Sequence, residues 1–178
     1  LGLRYDHHCE FGNETTGNIS WGHDLPTGTR LIASYGTAFK APTVNDLFYP
    51  YSVDSFSGDT YITQGNTNLQ PEESETFELG LRHAFGHTET ELNLFYTELE
   101  NLIEWPTTQI AANTYTVMPT NIQDATIRGV EFITSTNWAG WELGAAFTYL
   151  DATNDNTDEQ LDRRPERALD LTAQRDFG

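Results

Sequence analysis

The chain has 178 residues, enough for one ordinary domain. Its 27 acidic residues against 9 basic ones give a formal charge of −18, which argues against nucleic acid as a partner because phosphate binding needs a basic surface. The single cysteine, Cys9, excludes an internal disulfide framework and a cysteine-rich zinc site, and no stretch nears the roughly 18 consecutive apolar residues of a transmembrane helix. Membrane-spanning strands escape that test, because each is short and alternates in polarity.

Leu1, Leu3 and Tyr5 alternate with Gly2, Arg4 and Asp6, a period-2 strand pattern. His7 to Glu14 read as a short polar connection. Alternation resumes at Asn18-Ile19-Ser20-Trp21-Gly22-His23 and ends in the turn chemistry of Pro26-Thr27-Gly28. The next strand places Leu31, Ala33, Tyr35, Thr37 and Phe39 on one face, opposite Arg30, Ser34 and Gly36. A long excursion follows, bracketed by Pro42 and Pro71, neither of which has an N–H to donate to a ladder. It carries Phe48, Tyr49, Tyr51, Phe56 and Tyr61, too many aromatics for a linker, and connections of this length are functional or disordered. It is expected to be a substrate-facing loop above a barrel wall.

Beyond it, Phe77, Leu79, Leu81 and Phe85 alternate with Glu78, Gly80 and Arg82, and Gly86-His87 turns the chain. The return strand presents Leu92, Leu94 and Tyr96 against Glu91 and Asn93. Past Glu98 the phase slips to Leu99 and Ile103, which predicts a bulge. A medium loop from Thr107 to Thr120 precedes the strand Asp124 to Thr136, and Ala139-Gly140 forms the next turn. Trp141, Leu143, Ala145, Phe147 and Tyr149 then share a face, an acidic loop runs from Asp151 to Pro165, and a last strand carries Leu169, Leu171 and Ala173.

Eight strands result, and no helical period competes with them. From the second strand onward, tight turns (26–28, 86–87, 139–140) alternate strictly with long connections (41–74, 106–120, 152–165). That rhythm belongs to outer-membrane barrels, with turns at one end and loops at the other, whereas Greek-key sandwiches mix lengths at both ends. The expected fold is therefore all-β: an antiparallel up-and-down transmembrane β-barrel, present in part as an open curved sheet. The chain begins within LGLRYD and stops within ALDLTAQRDFG, so a fragment is expected.

The motif residues Phe39, Lys40, Ala41 and Pro42, with Ser34-Tyr35-Gly36-Thr37-Ala38 before them, are followed by Gly65-Asn66 and by Asn68, Leu69, Gln70, Pro71 and Glu72. Together with Glu78-Leu79-Gly80, Asn101-Leu102-Ile103 and Arg128-Gly129-Val130-Glu131, they make the chain resemble the TonB-dependent outer-membrane transporters. The likeness implies that residues 1–178 form the C-terminal part of such a barrel, about a third of a wall of about 22 strands, without the plug domain and the last strands. It also implies the outer membrane of a Gram-negative bacterium, contact with its lipid, and energy coupling to TonB through a missing N-terminal part. Arg4-Tyr5-Asp6, Phe11-Gly12, Thr16-Gly17-Asn18 and Gln160-Leu161-Asp162-Arg163-Arg164-Pro165 resemble the BtuB-type cobalamin transporters more narrowly, with Asp162 a departure from their pattern. Cobalamin or a similar large chelate is the implied cargo. The alternative within the class is a receptor for a siderophore or another metal chelate. The alternative outside it is a soluble secreted β-domain that binds glycan or calcium and packs its apolar strand faces into one core.

Transport of this kind binds and gates without making or breaking a bond, so no enzyme is expected. Tyr49 and Tyr51 are the aromatic candidates for substrate contact because of their place in the loop. Arg163 is a candidate by resemblance, its guanidinium suited to amide and phosphate acceptors. The run from Asp151 to Glu159 offers hard oxygens for Ca²⁺ but lacks EF-hand spacing, so no metal ligand and no cofactor is assigned. His7-His8-Cys9 lacks a fourth zinc ligand, and Glu72-Glu73 has no nucleophile or oxyanion donor that would make it catalytic.

Overall fold

A computed structural model describes residues 1–8, 12–121, 124–161 and 164–176. In chain order the elements begin with β1 (Gly2–His8), β2 (Gly12–Asp24), β3 (Thr29–Lys40) and helix α1 (Val44–Phe48). β4 (Ser52–Phe56), β5 (Asp59–Thr63), β6 (Glu72–Phe85) and β7 (Thr88–Glu100) follow. Then come β8 (Ile103–Glu104), β9 (Thr107–Ala111), β10 (Thr114–Val117) and β11 (Thr120–Asn121). The chain closes with β12 (Ala125–Trp138), β13 (Trp141–Asn154) and β14 (Arg167–Gln174).

The eight long strands form one open antiparallel sheet in the order β1-β2-β3-β6-β7-β12-β13-β14, each paired with the next long strand along the chain. This is the expected up-and-down meander. Its tight turns fall where the chemistry asks for them: Trp138 pairs with Trp141 across Ala139 and Gly140, both at positive φ as a type I′ turn demands. Two local expectations are corrected. Within the expected short polar connection, His7, His8 and Gly12 to Glu14 are strand, because the β1–β2 ladder continues through His7↔Asn13 to His8↔Gly12; residues 9–11 lie outside the described residues. There is also no bulge near Glu98; β7 keeps register with β6 up to Glu73↔Glu100, and the phase change arises at Asn101, which adopts a φ of 57°.

The ladder sorts the side chains into two faces. One row runs Trp21, Ala33, Leu79, Leu94, Val130 and Tyr149 across six strands, and the next runs His23, Leu31, Leu81, Leu92, Phe132, Phe147 and Leu169. Above them the same face carries Ile19, Tyr35, Phe77 and Tyr96, then ends in the carboxylate pairs Glu75↔Glu98 and Glu73↔Glu100. The opposite face is polar: Arg30, Arg82 and Glu91 make one row, and Ser34 and Glu78 belong to another. Phe95 lies in that second row over Gly129, where an added Cβ would come within 2.5 Å of the ring and of the Tyr149 carbonyl. The glycine of the Arg128-Gly129-Val130-Glu131 motif is therefore a seat for an aromatic ring on the polar face.

Among the described residues no other layer covers the apolar face. Leu81, Leu94 and Phe147 remain 39%, 44% and 40% exposed, and none of them belongs to the buried apolar set. The buried cluster is Ala125, Ala152 and Leu161, with Leu99, Leu102, Ile127 and Leu150 against it, at the long-connection end of the sheet. A soluble domain would bury its apolar face as its main source of stability. This chain leaves that face open along the whole sheet, as a wall element whose surroundings are themselves apolar would.

Candidate functional site

The two long connections from β3 to β6 and from β7 to β12 are not bare loops. Each contains a hairpin, and the two hairpins join into a second sheet in the order β4-β5-β10-β9, with β5 and β10 parallel. Ser57 and Gly58, both at positive φ, turn β4 into β5 with Phe56 opposite Asp59. The excursion read from the sequence as one loop above the wall is an ordered element that joins a second chain segment to form a cap.

The motif residues hold this cap to the wall. Lys40 and Glu72 form the last rung of the β3–β6 ladder, so the expected proline brackets stand just outside it. The buried Glu72 carboxylate accepts from Lys40 Nζ at 3.1 and 3.2 Å and from the Ile103 N–H at 3.0 Å, tying the first connection to the second. Asn121 acts as a second staple: its side-chain oxygen accepts from the Gln70 N–H (2.9 Å), and its amide donates to the carbonyls of Gln70 (3.0 Å) and Asn101 (2.6 Å). Asn66 donates to the Pro119 carbonyl (3.0 Å) and accepts from the Asn68 N–H (3.0 Å), and Leu69 is buried beneath them. Of the motif residues, Phe39 and Ala41 are half-buried and Pro42 is buried at the same seam.

Helix α1 is short because it is a single capped turn. The Thr43 hydroxyl accepts from the Asp46 N–H (3.2 Å), while the Asp46 carboxylate accepts from the Thr43 N–H (2.8 Å) and hydroxyl (2.6 Å). Asp46 also accepts from Trp105 Nε1 at 2.9 Å, which carries the second connection over the first. Burial opposes ionisation of Asp46 more than any other single influence. The Thr43 and Trp105 hydrogen bonds and the Lys40 charge together outweigh it and hold the carboxyl below its ordinary value of 3.8. A lowered folded-state pKa means that this stabilisation is complete above the unfolded value and is lost as pH falls through the folded one. Acidification below about pH 4 should therefore loosen Trp105 from α1. In an Asp46→Asn variant the corresponding change in tryptophan fluorescence should be absent; an identical titration in both proteins would refute the link.

The segment just after β5 lies hard against α1. Gly65 donates its N–H to the Tyr49 carbonyl (3.0 Å), and a Cβ on Gly65 would come within 2.5 Å of Tyr49 N and 2.6 Å of Leu47 O. Both are backbone atoms and cannot swing aside. Gly65→Ala should cost about 1–3 kcal/mol of local stability. Limited proteolysis should then cut within residues 41–71 faster than in the parent, with the wall strands unaffected.

Two aromatic pairs define the surface these contacts build. Tyr49 meets Trp105 edge-on at 5.5 Å, and Tyr61 stacks on Tyr115 at 5.3 Å across the parallel seam between β5 and β10. Thr63 shares a strand face with Tyr61, and it lines a shallow recess of about 400 Å³ with Thr43, Asn45, Asp46, Tyr49 and Trp105. Both aromatic pairs therefore open onto one continuous surface. Of the sequence candidates, Tyr49 lies in this recess, whereas Tyr51 is exposed just before β4 and does not line it. Arg163 lies outside the described residues. Trp105 and Tyr115 were not singled out from the sequence, although an aromatic beside each connection was the available signal.

The third long connection folds onto the polar face through Leu161, whose N–H donates to the Ala152 carbonyl at 2.8 Å. Asp151, still in β13, pairs with Arg128 (2.8 and 3.0 Å), and Asp155 in the connection accepts from the Thr126 hydroxyl (2.9 Å). Among the described residues no group of three His, Cys, Asp or Glu side chains is placed to hold a metal ion.

A family model described as TonB dependent receptor-like, beta-barrel, matches residues 1–177. A curated relative from Photobacterium profundum, "Vitamin B12 transporter BtuB", is 29% identical over 167 residues, covering 91% of this chain and 25% of the relative. A protein of the same name from Vibrio vulnificus is 36% identical over 130 residues, covering 72% of this chain and 19% of the relative. Among solved structures, a ferric enterobactin receptor (PfeA) mutant from Pseudomonas aeruginosa in complex with enterobactin superposes with a TM-score of 0.82 at 21% identity, over 99% of this chain and 28% of that one. The siderophore receptor PirA from Acinetobacter baumannii gives 0.79 at 20% identity, again over 99% of this chain and 28% of that one. The chain thus spans about a quarter of the length of the proteins it resembles.

Proposed function

Because the chain belongs to the family of TonB-dependent receptor-like β-barrels, we propose that it supplies part of the wall and of the outer loops of a receptor that imports cobalamin, driven by TonB. The family is one of outer-membrane receptors of Gram-negative bacteria and not of enzymes. In this reading, residues 1–178 are a C-terminal part of the barrel, and the plug and the TonB-contacting segment lie elsewhere in the receptor. The observation that carries the receptor reading is the uncovered apolar face opposite a polar one, capped by two interlocked loops. A lipid-facing exterior and a hydrated passage give each face the surroundings it suits.

Cobalamin is favoured by the two transporters named for vitamin B12, which align with most of this chain. Uptake of a siderophore is the second reading, but the solved siderophore receptors are only about a fifth identical to this chain over the part that aligns and speak for the fold alone. Tyr49, Tyr51 and Arg163 are proposed to contact the cargo: the rings provide area, and the guanidinium provides donors for amide or phosphate oxygens. The test is growth of a strain lacking its own cobalamin receptor, complemented with the full-length receptor that carries this chain. Growth on limiting cobalamin supports the proposal. Growth only when a ferric chelate is the limiting nutrient transfers it to the second reading.

A further inference from the structure

The loop cap carries a one-sided charge. Residues 41–71 contain Asp46, Asp54 and Asp59 and no Lys, Arg or His; residues 101–124 contain Glu104 and Asp124 and again no Lys, Arg or His. Lys40, at the seam between wall and cap, is paired with Glu72 at 3.1 Å. Between β13 and β14, residues 155–166 set Arg163 and Arg164 among five carboxylates in the sequence. Any ligand resting on this cap meets aromatic faces, hydroxyls and carboxylates, with no cation from either hairpin.

Register places the relevant groups in line. Asp54 lies opposite Tyr61, Tyr61 beside Tyr115 and Tyr115 opposite Gln109, one row across all four strands of the cap. Asp54 and Gln109, at the two ends, are exposed, and the stacked rings between them are half-exposed. Thr63, two residues along β5 from Tyr61 and in the adjacent row with Ser52 and Val117, lines the recess of Tyr49 and Trp105. A row of this kind offers ring faces for a flat ligand and an acceptor at one end.

We infer that the cap formed by β4, β5, β10 and β9 selects neutral or cationic ligands and rejects polyanionic chelates. This rests on the reading of the cap as the substrate-receiving surface, and it goes further by assigning a charge class independent of the ligand's name. A trianion on this surface would be desolvated against like charges, with no basic group on either hairpin to pair with it. A ring-bearing neutral ligand meets no such penalty, and a cation gains from the ring faces and from Asp54.

The experiment is a set of titrations on the detergent-solubilised full-length receptor with three probes: cyanocobalamin, a monocationic ferric trihydroxamate and a trianionic ferric tricatecholate. At least one of the first two should bind at least about 100-fold more tightly than the trianion. Binding of the trihydroxamate without cyanocobalamin supports the charge assignment and removes cobalamin as the cargo. Trianion binding as tight as that of the other two, or no binding of any probe, overturns the inference. Gln109→Arg, at an exposed end of the row, should then raise the affinity for the trianion by about tenfold; an unchanged value removes the row from the ligand surface.

Discussion

Glu72→Ala should release the loop cap from the wall while leaving the wall folded. Three hydrogen bonds converge on this one buried carboxylate, two from Lys40 and one from the Ile103 N–H. Their shares differ. The Lys40 side chain is largely exposed and regains water when its partner leaves, as surface ammonium groups do. The Ile103 N–H is half-buried at the entry to the second connection and is left without its acceptor. Hydrogen bonds to charged groups contribute about 1.5–3 kcal/mol, so the opening equilibrium of the cap should shift by about 10-fold to 150-fold. Amide hydrogen exchange reads this directly: protection should fall at residues 43–49 and 103–105 and persist along β6, β7 and β12. Glu72→Gln keeps an acceptor for Ile103 and should retain much of the protection. Equal protection in Glu72→Ala and the parent would mean that Asn121 and Asn66 hold the cap by themselves.

The wall was legible because its signals are local. Alternation at Phe77, Leu79 and Leu81 and turn chemistry at Pro26-Thr27-Gly28, Gly86-His87 and Ala139-Gly140 suffice to order a meander, since each strand pairs with the next long one. Inside the long connections some signals were present and unread. Thr43-Val44-Asn45-Asp46 has the spacing of a capping box, and Ser57-Gly58 between two short β-prone runs is a hairpin turn. The pairing of β5 with β10 is different in kind. Thr60 and Thr114 lie in separate connections with two long strands between them, and nothing in either segment names its partner. The recess was therefore visible one residue at a time, through Tyr49, while its other wall, Trp105, depended on that distant pairing. The strand character of His7, His8, Asn13 and Glu14 has no alternating signal for a simpler reason: polar residues pair as well as apolar ones when no layer covers the sheet.

On the wall, the decisive substitution is Leu79→Arg. Leu79 lies between Ala33 and Leu94 in the middle of the apolar face, with Leu81 and Phe77 as its neighbours along β6 on that face. In a bilayer, an arginine at the midplane of a barrel's outer face costs about 2–4 kcal/mol, falling to about 0–1 kcal/mol near the interface. The polar face supplies the control. Thr148 sits opposite Glu131 on β13, so Thr148→Arg places the same side chain beside a carboxylate in hydrated surroundings and should cost little. Unfolding by urea in lipid vesicles, with the full-length receptor, should separate the two by about 2 kcal/mol or more. Leu94→Arg, one strand away in the same row, should behave like Leu79→Arg, and Glu75 shows why depth matters. It is charged on the same face, but it lies two rows higher, where Tyr35 and Phe77 end the apolar band. Equal costs for Leu79→Arg and Thr148→Arg would mean that the two faces see the same medium, and the assignment of one to lipid and the other to water would fall with that result.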